Sequence, residues 1–514
     1  MKPCVYYEYL SDNGIDFFTL ILKPDDVGQF PVVVTRSPYV SYAKDKSEEE
    51  LADIFMKENI KWAENNYVIV FQHCRGQGKS SGDFVPYIYE REDGLMLRKW
   101  IRQQDFYNGQ MFLLGGSYTA SLHYSTAPFE DDIKGAVFNV QDSERYRLWY
   151  RNGNMRRGHA NWHFDLYKDK SGLNKVHTMD SFSELPIENL SERVLGERAE
   201  DFEQMLSAHR FEHPFWETRY GGCEARDAVS EADIPILLTT GYNDFYLGGM
   251  FRMWERMDAA TKKKCAMIVS PYNHGDSYYA ENGICFETGS VKEQFGEDYR
   301  IMWFNSILKK EEPFVETGKV TYYRTFENKW GRDFCSGSTE EKTVLLGDDT
   351  KIILYDPENP TSFDAEGCFM DKPNSRSDII TVYTEPMETD VFIRGRMKAK
   401  LTVASDCEDT SFYMMIGIES ENGDYALRHD ITSILYQKES YESNTEVVLD
   451  FEFDEYAFAL KKGQRLRVDI APTDKNTYVC HTNIKGDYSK IKTKKTAQNT
   501  VCLGQSCLIL PIEK

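Results

Sequence analysis

The 514-residue sequence lacks the features that would place it in a membrane or outside the cell. It has no apolar run approaching the roughly 18 residues that a membrane-spanning helix needs. Its eleven cysteines form no CxxC pair and no disulfide-framework spacing, so we expect reduced thiols. Its N-terminus has no apolar segment of the kind found in secretory signals. These absences predict a cytoplasmic protein.

Positive charge is scarce as well. Lys and Arg total 61 against 83 Asp and Glu, which gives a net charge of −22. A surface this acidic repels phosphate backbones and anionic lipids, so we expect neither nucleic acid nor membrane as a partner. Apolar residues still make up 41% of the chain. That content supports large cores, and the length corresponds to about two to four domains.

The first part of the chain alternates apolar runs with amphipathic stretches. Five runs have the composition of buried strands: 30–35, 67–71, 111–114, 236–240 and 266–270. Residues 92–101 instead carry apolar side chains at helical spacing. Buried strands separated by helices are typical of a parallel sheet covered on both faces. We therefore predict an α/β core formed by residues 1–142 and 231–335.

The pattern changes twice along the rest of the chain. Residues 143–230 are mostly helical and charged, and they lie between two strands of one predicted sheet. This arrangement favours a helical cap over a site. From residue 342 to 514, short strands alternate with turn signals such as Tyr355-Asp356-Pro357, without a convincing helix. We predict an antiparallel β-sandwich for this part.

Segment 113–122 contains a candidate nucleophile. An apolar strand runs into Gly115-Gly116-Ser117 and then into a stretch with helical character, which is the context of a nucleophile elbow. On such a turn the serine hydroxyl projects at the helix N-terminus, where the Tyr118 N–H can face a developing oxyanion. The segment departs from G-x-S-x-G because Thr119 replaces the final glycine.

A serine nucleophile requires a general base, and the base requires an orienting carboxylate. In doubly wound hydrolases they follow in the order Ser, acid, His, each after a strand. Asp244 follows the strand at 236–240, and His274 follows the strand at 266–270. Alone, these residues would be interpreted as a turn aspartate and a loop histidine. Their order after Ser117 instead predicts a triad that transfers an acyl group to water.

These motifs resemble those of the CocE/NonD family of serine hydrolases, which includes cocaine esterase, X-Pro dipeptidyl-peptidase relatives, cephalosporin acylases and α-amino-acid ester hydrolases. The resemblance lies in five places: residues 31–39, residues 72–82, the elbow, Asp244 and His274. The resemblance implies an α/β-hydrolase fold with a helical cap and a C-terminal jelly roll. It also implies that the Tyr39 hydroxyl joins the Tyr118 N–H as an oxyanion donor.

One loop departs from the family pattern. The family usually has an aspartate near the position of His73, so a local ion pair for Arg75 is not expected. The mechanism requires no metal and no organic cofactor. His159 and His163 stand four residues apart, as two metal ligands would, but no third ligand is evident near them. Gly78-Lys79-Ser80 imitates the end of a phosphate loop without its first glycine, and we reject a nucleotide site there.

The substrate is inferred from five positions: Arg147, Trp149, Tyr150, Phe245 and Tyr246. Relatives that bind an ammonium group carry carboxylates near these positions, and this chain does not. We therefore expect a neutral or weakly anionic ester or amide of a small molecule in an aromatic pocket. Arg147 either contacts a substrate carboxylate or pairs with Glu144.

Two other functions stay open at this stage. An X-Pro dipeptidyl-peptidase would use the same triad with a different pocket. A non-catalytic protein that binds a carbohydrate or a protein partner through the jelly roll is the second alternative, and it is supported by fold analogy alone. Homo-oligomerisation is open as well.

Overall fold

The structure of the protein is a computed structural model, which describes residues 2–171, 182–217, 229–371, 376–420 and 423–514. The predicted cap, 143–230, therefore contains two stretches that lie outside the described residues, 172–181 and 218–228.

A mostly parallel sheet organises the first two thirds of the chain. Its strands and the two short cap strands β7 and β8 are, in chain order, β1 (Cys4–Asp12), β2 (Ile15–Lys23), β3 (Phe30–Ser37), β4 (Val68–His73), β5 (Tyr107–Gly116), β6 (Ile133–Asn139), β7 (Tyr150–Arg151), β8 (Asn154–Met155), β9 (Ile236–Asn243), β10 (Ala266–Asn273), β11 (Val320–Arg324) and β12 (Lys329–Gly331). The order in the sheet is β1-β2-β4-β3-β5-β6-β9-β10-β11-β12. Strands β3 to β6 and β9 to β11 pair in parallel, while β1, β2 and β12 pair antiparallel at the two edges.

Within the described ranges the chain forms twelve α-helices: α1 (Glu48–Glu64), α2 (Glu90–Ile101), α3 (Tyr118–Tyr124), α4 (Arg145–Trp149), α5 (Arg157–Ser171), α6 (Leu190–Leu195), α7 (Glu200–Ser207), α8 (Leu247–Arg256), α9 (Ala259–Lys262), α10 (Val291–Phe295), α11 (Tyr299–Lys309) and α12 (Ile434–Gln437). Helices α4 to α7 follow β6 and precede β9, where the sequence predicts the cap.

Both faces of the sheet are covered, because alternate residues of each buried strand point to opposite faces. On β3, Val32 and Val34 join one apolar cluster, while Val33 joins the other. Helices α1 and α11 cover the face of Val33, and helices α2 and α3 cover the opposite face. This two-sided burial explains why the strands appear in the sequence as near-continuous apolar runs.

The last third of the chain is a β-domain made of two sheets. Its strands are β13 (Thr339–Leu345), β14 (Thr350–Tyr355), β15 (Ile380–Tyr383), β16 (Val391–Gly395), β17 (Lys398–Ser405), β18 (Ser411–Ile418), β19 (Tyr425–Ser433), β20 (Val447–Glu452), β21 (Tyr456–Leu460), β22 (Leu466–Ala471), β23 (Ala497–Cys502) and β24 (Cys507–Glu513). One sheet has the order β14-β23-β17-β24-β16-β21, with β13 on β24 and β20 on β17, and the other has the order β15-β22-β18-β19. The sequence predicted no helix here, but the four-residue helix α12 follows β19, where the Ser433 side chain accepts a hydrogen bond from the Tyr436 N–H.

Buried charges lie where the first segment of the core passes into the cap. The Glu144 carboxylate is 3.0 Å from the Arg256 guanidinium and 3.4 Å from those of Arg147 and Arg252. Asp142, just before it, accepts a hydrogen bond from the Glu144 N–H at 3.0 Å. Burial raises the pKa of the Asp142 carboxyl to about 7, with Arg252 opposing the shift and the Glu144 charge adding to it. The junction therefore holds a carboxyl that is protonated more readily in the fold than in water.

Asp142→Asn is expected to stabilise the protein more at pH 8 than at pH 5. The folded-state pKa lies above the ordinary value of about 3.9, so protonated Asp142 favours the fold, and this contribution is lost as the pH rises through about 7. The scale is roughly 1.4 kcal/mol of unfolding free energy for each pKa unit. Thermal unfolding at both pH values measures it, with Asp131→Asn, an exposed aspartate in the turn before β6, as the control. Equal stabilisation at both pH values would contradict it.

Candidate active site

Ser117 lies on the tight turn between β5 and α3. Its backbone has φ 53° and ψ −136°, in the left-handed half of conformational space that serine rarely occupies. A Cβ at Gly115 would lie 2.5 Å from the Thr119 carbonyl oxygen, so only glycine fits there. The Ser117 N–H donates to the Asn139 carbonyl at 2.9 Å, which holds the turn against the end of β6. This is the geometry of a nucleophile elbow.

Thr119 fits the place where the motif has glycine, because its hydroxyl is used within the turn. The hydroxyl donates to the Gly116 carbonyl at 2.7 Å and accepts from the Gly116 N–H at 2.6 Å. The N–H and the carbonyl of Gly116 are therefore both hydrogen-bonded by one side chain. The departure from G-x-S-x-G thus preserves the turn.

Asp244 and His274 meet beyond the ends of β9 and β10. The His274 Nδ1 lies 3.1 Å from the Asp244 Oδ1. The carboxylate also accepts from the Thr240 hydroxyl and from the Tyr246 N–H, each at 3.1 Å. Asp244 is 3% exposed, whereas the His274 side chain is 34% exposed. The pair therefore combines a buried, fixed carboxylate with an imidazole that a substrate can reach.

Two rings that the sequence assigned to substrate binding pack on this imidazole. The Phe245 ring stacks on His274 with centroids 5.0 Å apart and planes inclined by 21°. The Tyr246 ring lies 5.5 Å away, inclined by 35°. Both residues line the same cavity as Ser117, and together they restrict the orientation of the imidazole.

Tyr39 follows β3 and points its hydroxyl at the elbow. The phenol oxygen lies within hydrogen-bonding reach of the Ser117 side chain, the Trp162 indole and the Tyr118 backbone N–H. Burial of the hydroxyl raises the pKa of Tyr39, and these hydrogen bonds oppose the shift. Although the residue is 42% exposed, its hydroxyl is packed among protein groups. Tyr39, Tyr118 N–H and Ser117 are thus brought together.

The Tyr118 side chain points away from the cavity into a buried polar network. Its hydroxyl donates to Glu90 Oε1 and accepts from the Tyr87 N–H, both at 2.7 Å. Glu90 in turn pairs with Arg36 at 3.2 Å. Arg75, for which the sequence offered no local partner, pairs with Asp93 on α2 at 2.5 Å. These contacts anchor the residue that follows the serine.

The candidate nucleophile opens into a cavity of about 710 Å³ that three parts of the chain line. The core contributes Ser117, His274 and their neighbours. The cap contributes side chains including Arg156, His159 and Trp162. The β-domain contributes charged and polar groups: Glu366 from the loop after β14, Tyr413 from β18, Arg428 and His429 from β19, and Asp454 from the loop after β20. Sequence reasoning missed the groups from the β-domain.

Three of the predicted substrate-binding residues lie elsewhere, and the prediction is corrected. Arg147 pairs with Glu144 at 3.4 Å, which was the alternative assignment. Trp149 is fully buried and packs edge-on against His159, with centroids 5.2 Å apart. The Tyr150 hydroxyl donates to the Met205 carbonyl at 2.8 Å. None of the three is among the described residues that line the cavity, because the cap uses its aromatic pair to pack its own helices.

His159 and His163 do not face a common ligand. His159 lines the cavity, whereas His163 lies 3.3 Å from Asp201 inside the cap. Across the part of the chain that the structure describes, no group of three or more His, Cys, Asp or Glu side chains could hold a metal ion. In the same residues, no helix is both long enough and apolar enough to cross a membrane.

A mostly parallel sheet with a serine elbow between a strand and a helix is the architecture of the α/β-hydrolase class, and this chain adds a cap after β6 and a C-terminal β-domain. A family model described as X-Pro dipeptidyl-peptidase (S15 family) matches residues 13–276, about half of the chain. A model of the X-Pro dipeptidyl-peptidase C-terminal non-catalytic domain matches residues 308–507. The chain belongs to the S15 family.

Similar proteins agree with this assignment. Cocaine esterase from Rhodococcus sp. (strain MB1 Bresler) is 21% identical, over 98% of this chain and 97% of its own. An α-amino acid ester hydrolase structure has a TM-score of 0.81 at 17% identity, over 99% of this chain and 97% of its own. An aminopeptidase from a marine sediment Thaumarchaeota archaeon has a TM-score of 0.80 at 17% identity, over 100% and 97%. The predicted fold class and family resemblance are confirmed, and the protein is a serine hydrolase.

Thr119→Val, which removes the hydroxyl but keeps the side-chain shape, is expected to weaken the elbow. Two hydrogen bonds to Gly116 are lost, so we expect a loss of about 1–3 kcal/mol in unfolding free energy and slower labelling of the serine by a fluorophosphonate. Thr119→Ser keeps the hydroxyl and serves as the control. Stability and labelling rate unchanged in Thr119→Val would show that the turn does not depend on this side chain.

Proposed function

We propose that the protein hydrolyses an ester or amide acyl bond of a small molecule through Ser117, His274 and Asp244. His274 takes the proton from the Ser117 hydroxyl as the serine attacks the carbonyl, and later returns it to the leaving group. Asp244 fixes the tautomer of the imidazole and stabilises its protonated form. Water then hydrolyses the acyl-enzyme. The observation that carries the proposal is the 3.1 Å His274–Asp244 contact beside the cavity into which Ser117 opens.

The tetrahedral intermediate requires donors for its oxyanion. The Tyr118 N–H at the start of α3 and the Tyr39 hydroxyl both lie beside Ser117, and they are the proposed donors. The phenol is protonated at neutral pH, since the ordinary pKa of tyrosine is about 10 and burial raises it further. A neutral hydroxyl is the form that can donate to an oxyanion.

The size and lining of the cavity support a small-molecule substrate. Its volume, about 710 Å³, lies within the range of small-ligand sites, roughly 300–1,000 Å³. Phe245 and Tyr246 supply an aromatic wall next to His274. The names of the similar proteins include an esterase, an ester hydrolase and an aminopeptidase, so both ester and amide bonds are candidates.

Release of X-Pro dipeptides is the second candidate, and the family model favours it. Such an enzyme must bind a peptide ammonium group with an available carboxylate. In the cavity Glu366 already pairs with Arg428 at 2.5 Å, and Asp454 already pairs with Arg151 at 2.9 Å. Of the described lining carboxylates outside the proposed triad, Asp364 alone lacks an ion-pair partner, so we prefer the small ester or amide.

Ser117→Ala is expected to abolish covalent labelling by a fluorophosphonate and all hydrolysis of p-nitrophenyl esters. The wild type should label with one probe per chain, as measured by intact-protein mass spectrometry. Ser125→Ala, at the other end of α3, keeps the helix and is the matched control. Labelling that persists in Ser117→Ala would place the nucleophile elsewhere.

Tyr39→Phe is expected to lower kcat by roughly 100-fold, because loss of one oxyanion donor removes about 3 kcal/mol of transition-state stabilisation. The variant keeps the ring, so KM should change little. Steady-state kinetics on one ester separates the two parameters, with Tyr42→Phe, an exposed tyrosine of the same loop, as the control. An unchanged kcat would remove Tyr39 from the oxyanion site.

A further inference from the structure

Most charges that line the cavity are already paired with one another. Arg151 contacts Asp430 at 2.7 Å and Asp454 at 2.9 Å. Glu366 contacts Arg428 at 2.5 Å and the His429 ring at 2.9 Å. Burial opposes ionisation of Glu366, but Arg428 and His429 outweigh it and lower its pKa to about 2. These groups form a fixed polar wall.

Arg156 is the exception among these cations. It lines the cavity from the position just before α5, and its buried Nε has no hydrogen-bond partner. In the described ranges no carboxylate lies in ion-pair contact with its guanidinium, and the Tyr478 ring is 5.9 Å away. Its backbone is fixed, because its N–H donates to the Trp149 carbonyl at 2.8 Å. An anion bound in the cavity would replace water on this guanidinium with charge-assisted hydrogen bonds.

A second unpartnered donor belongs to the lining of the same cavity. Tyr413 is fully buried, lines the cavity, and its hydroxyl has no hydrogen-bond partner. Its ring stacks on His429 at 5.4 Å, and His429 Nε2 is hydrogen-bonded to the Tyr478 hydroxyl at 3.0 Å. Tyr478 therefore has Arg156 near its ring and His429, the stacking partner of Tyr413, at its hydroxyl.

We propose that the substrate carries a carboxylate, remote from the scissile carbonyl, which binds Arg156 and accepts a hydrogen bond from Tyr413. This inference rests on the proposed function and names its substrate class. A carboxylate accepts several charge-assisted hydrogen bonds, so one group would satisfy both donors. Arg156 rather than Arg147 then performs the anion recognition that the sequence suggested.

Other substrate classes fit the same residues less well. A neutral group would leave the guanidinium uncompensated. An ammonium group would be repelled by Arg156, while Glu366 and Asp454 are held in ion pairs. Asp364 accepts the Asp371 N–H at 2.9 Å and, among the described residues, has no ion-pair partner, so it is the one lining carboxylate outside the proposed triad that an ammonium could contact, and the ammonium ester tests it.

The test compares esters that differ only in the remote group. Monoethyl adipate carries a carboxylate, its carboxamide analogue is neutral and nearly isosteric, and ethyl 6-aminohexanoate carries an ammonium. A second pair, 4-acetoxybutanoate and its carboxamide, places the carboxylate on the alcohol side. In at least one pair, the wild type should prefer the carboxylate in kcat/KM by roughly 10- to 100-fold, the range of one charge-assisted hydrogen bond.

Variants assign that preference to Arg156. Arg156→Gln should remove the preference for carboxylate over carboxamide, so that kcat/KM for the two esters becomes equal. Arg156→Glu should shift the preference to the ammonium ester, and Tyr413→Phe should reduce the carboxylate preference in part. Arg157→Gln is the matched control, because this neighbour is outside the described cavity lining and donates to the Lys475 carbonyl.

Binding to Ser117→Ala separates failure of this inference from failure of the proposed function. By calorimetry, the preferred carboxylate ester should bind and its carboxamide should bind at least about ten-fold more weakly, a difference that Arg156→Gln removes. If the wild type hydrolyses both esters equally, or Arg156→Gln lowers both equally, the carboxylate site is refuted and the hydrolase proposal stands. If Ser117 is never labelled, the hydrolase proposal fails, and the binding difference alone decides the carboxylate site.

Discussion

The strained backbone of Ser117 is the constraint around which the site is built. A non-glycine residue at φ 53° and ψ −136° persists only where its surroundings over-determine it. Here the Ser117 N–H is bonded to β6, the Thr119 hydroxyl closes the turn, and the Tyr118 side chain is anchored by Glu90. Contacts with β6 of the sheet and with Glu90 of α2 therefore hold the strained backbone in place. The serine hydroxyl can then face the cavity without any flexible loop of its own.

The β-domain does more than support the hydrolase core, since it forms one wall of the cavity. Ion pairs buried in such a wall seldom stabilise a fold as well as apolar packing would. The pairs of Arg151 with Asp454 and of Arg428 with Glu366 are therefore better explained by the polar surface that they present. The core supplies Ser117 and His274 to the cavity, while the cap and the β-domain supply most of the remaining lining.

The positions of Asp244 and His274 could be predicted because they follow from one rule of parallel sheets. Buried strands are recognisable as apolar runs, and their carboxyl ends meet at one edge. Trp149 and Tyr150 could not be placed, because which face of a short helix or strand packs inward depends on partners such as Phe202 and Met205. Glu366 and Arg428 were missed because no spacing pattern relates the β-domain to an elbow some 250 to 300 residues earlier in the chain.

The overall charge and the local charge of the site act in opposite directions. A net charge of −22 lowers the concentration of anions near the protein, whereas Arg156 favours an anion within the cavity. The long-range repulsion is screened beyond roughly 8 Å at physiological salt, but the short-range contact of a half-buried guanidinium is screened much less. Binding of a carboxylate would then be decided by desolvated contacts inside the cavity. A net acidic protein can therefore select an anionic substrate, provided that the cation is held inside the cavity.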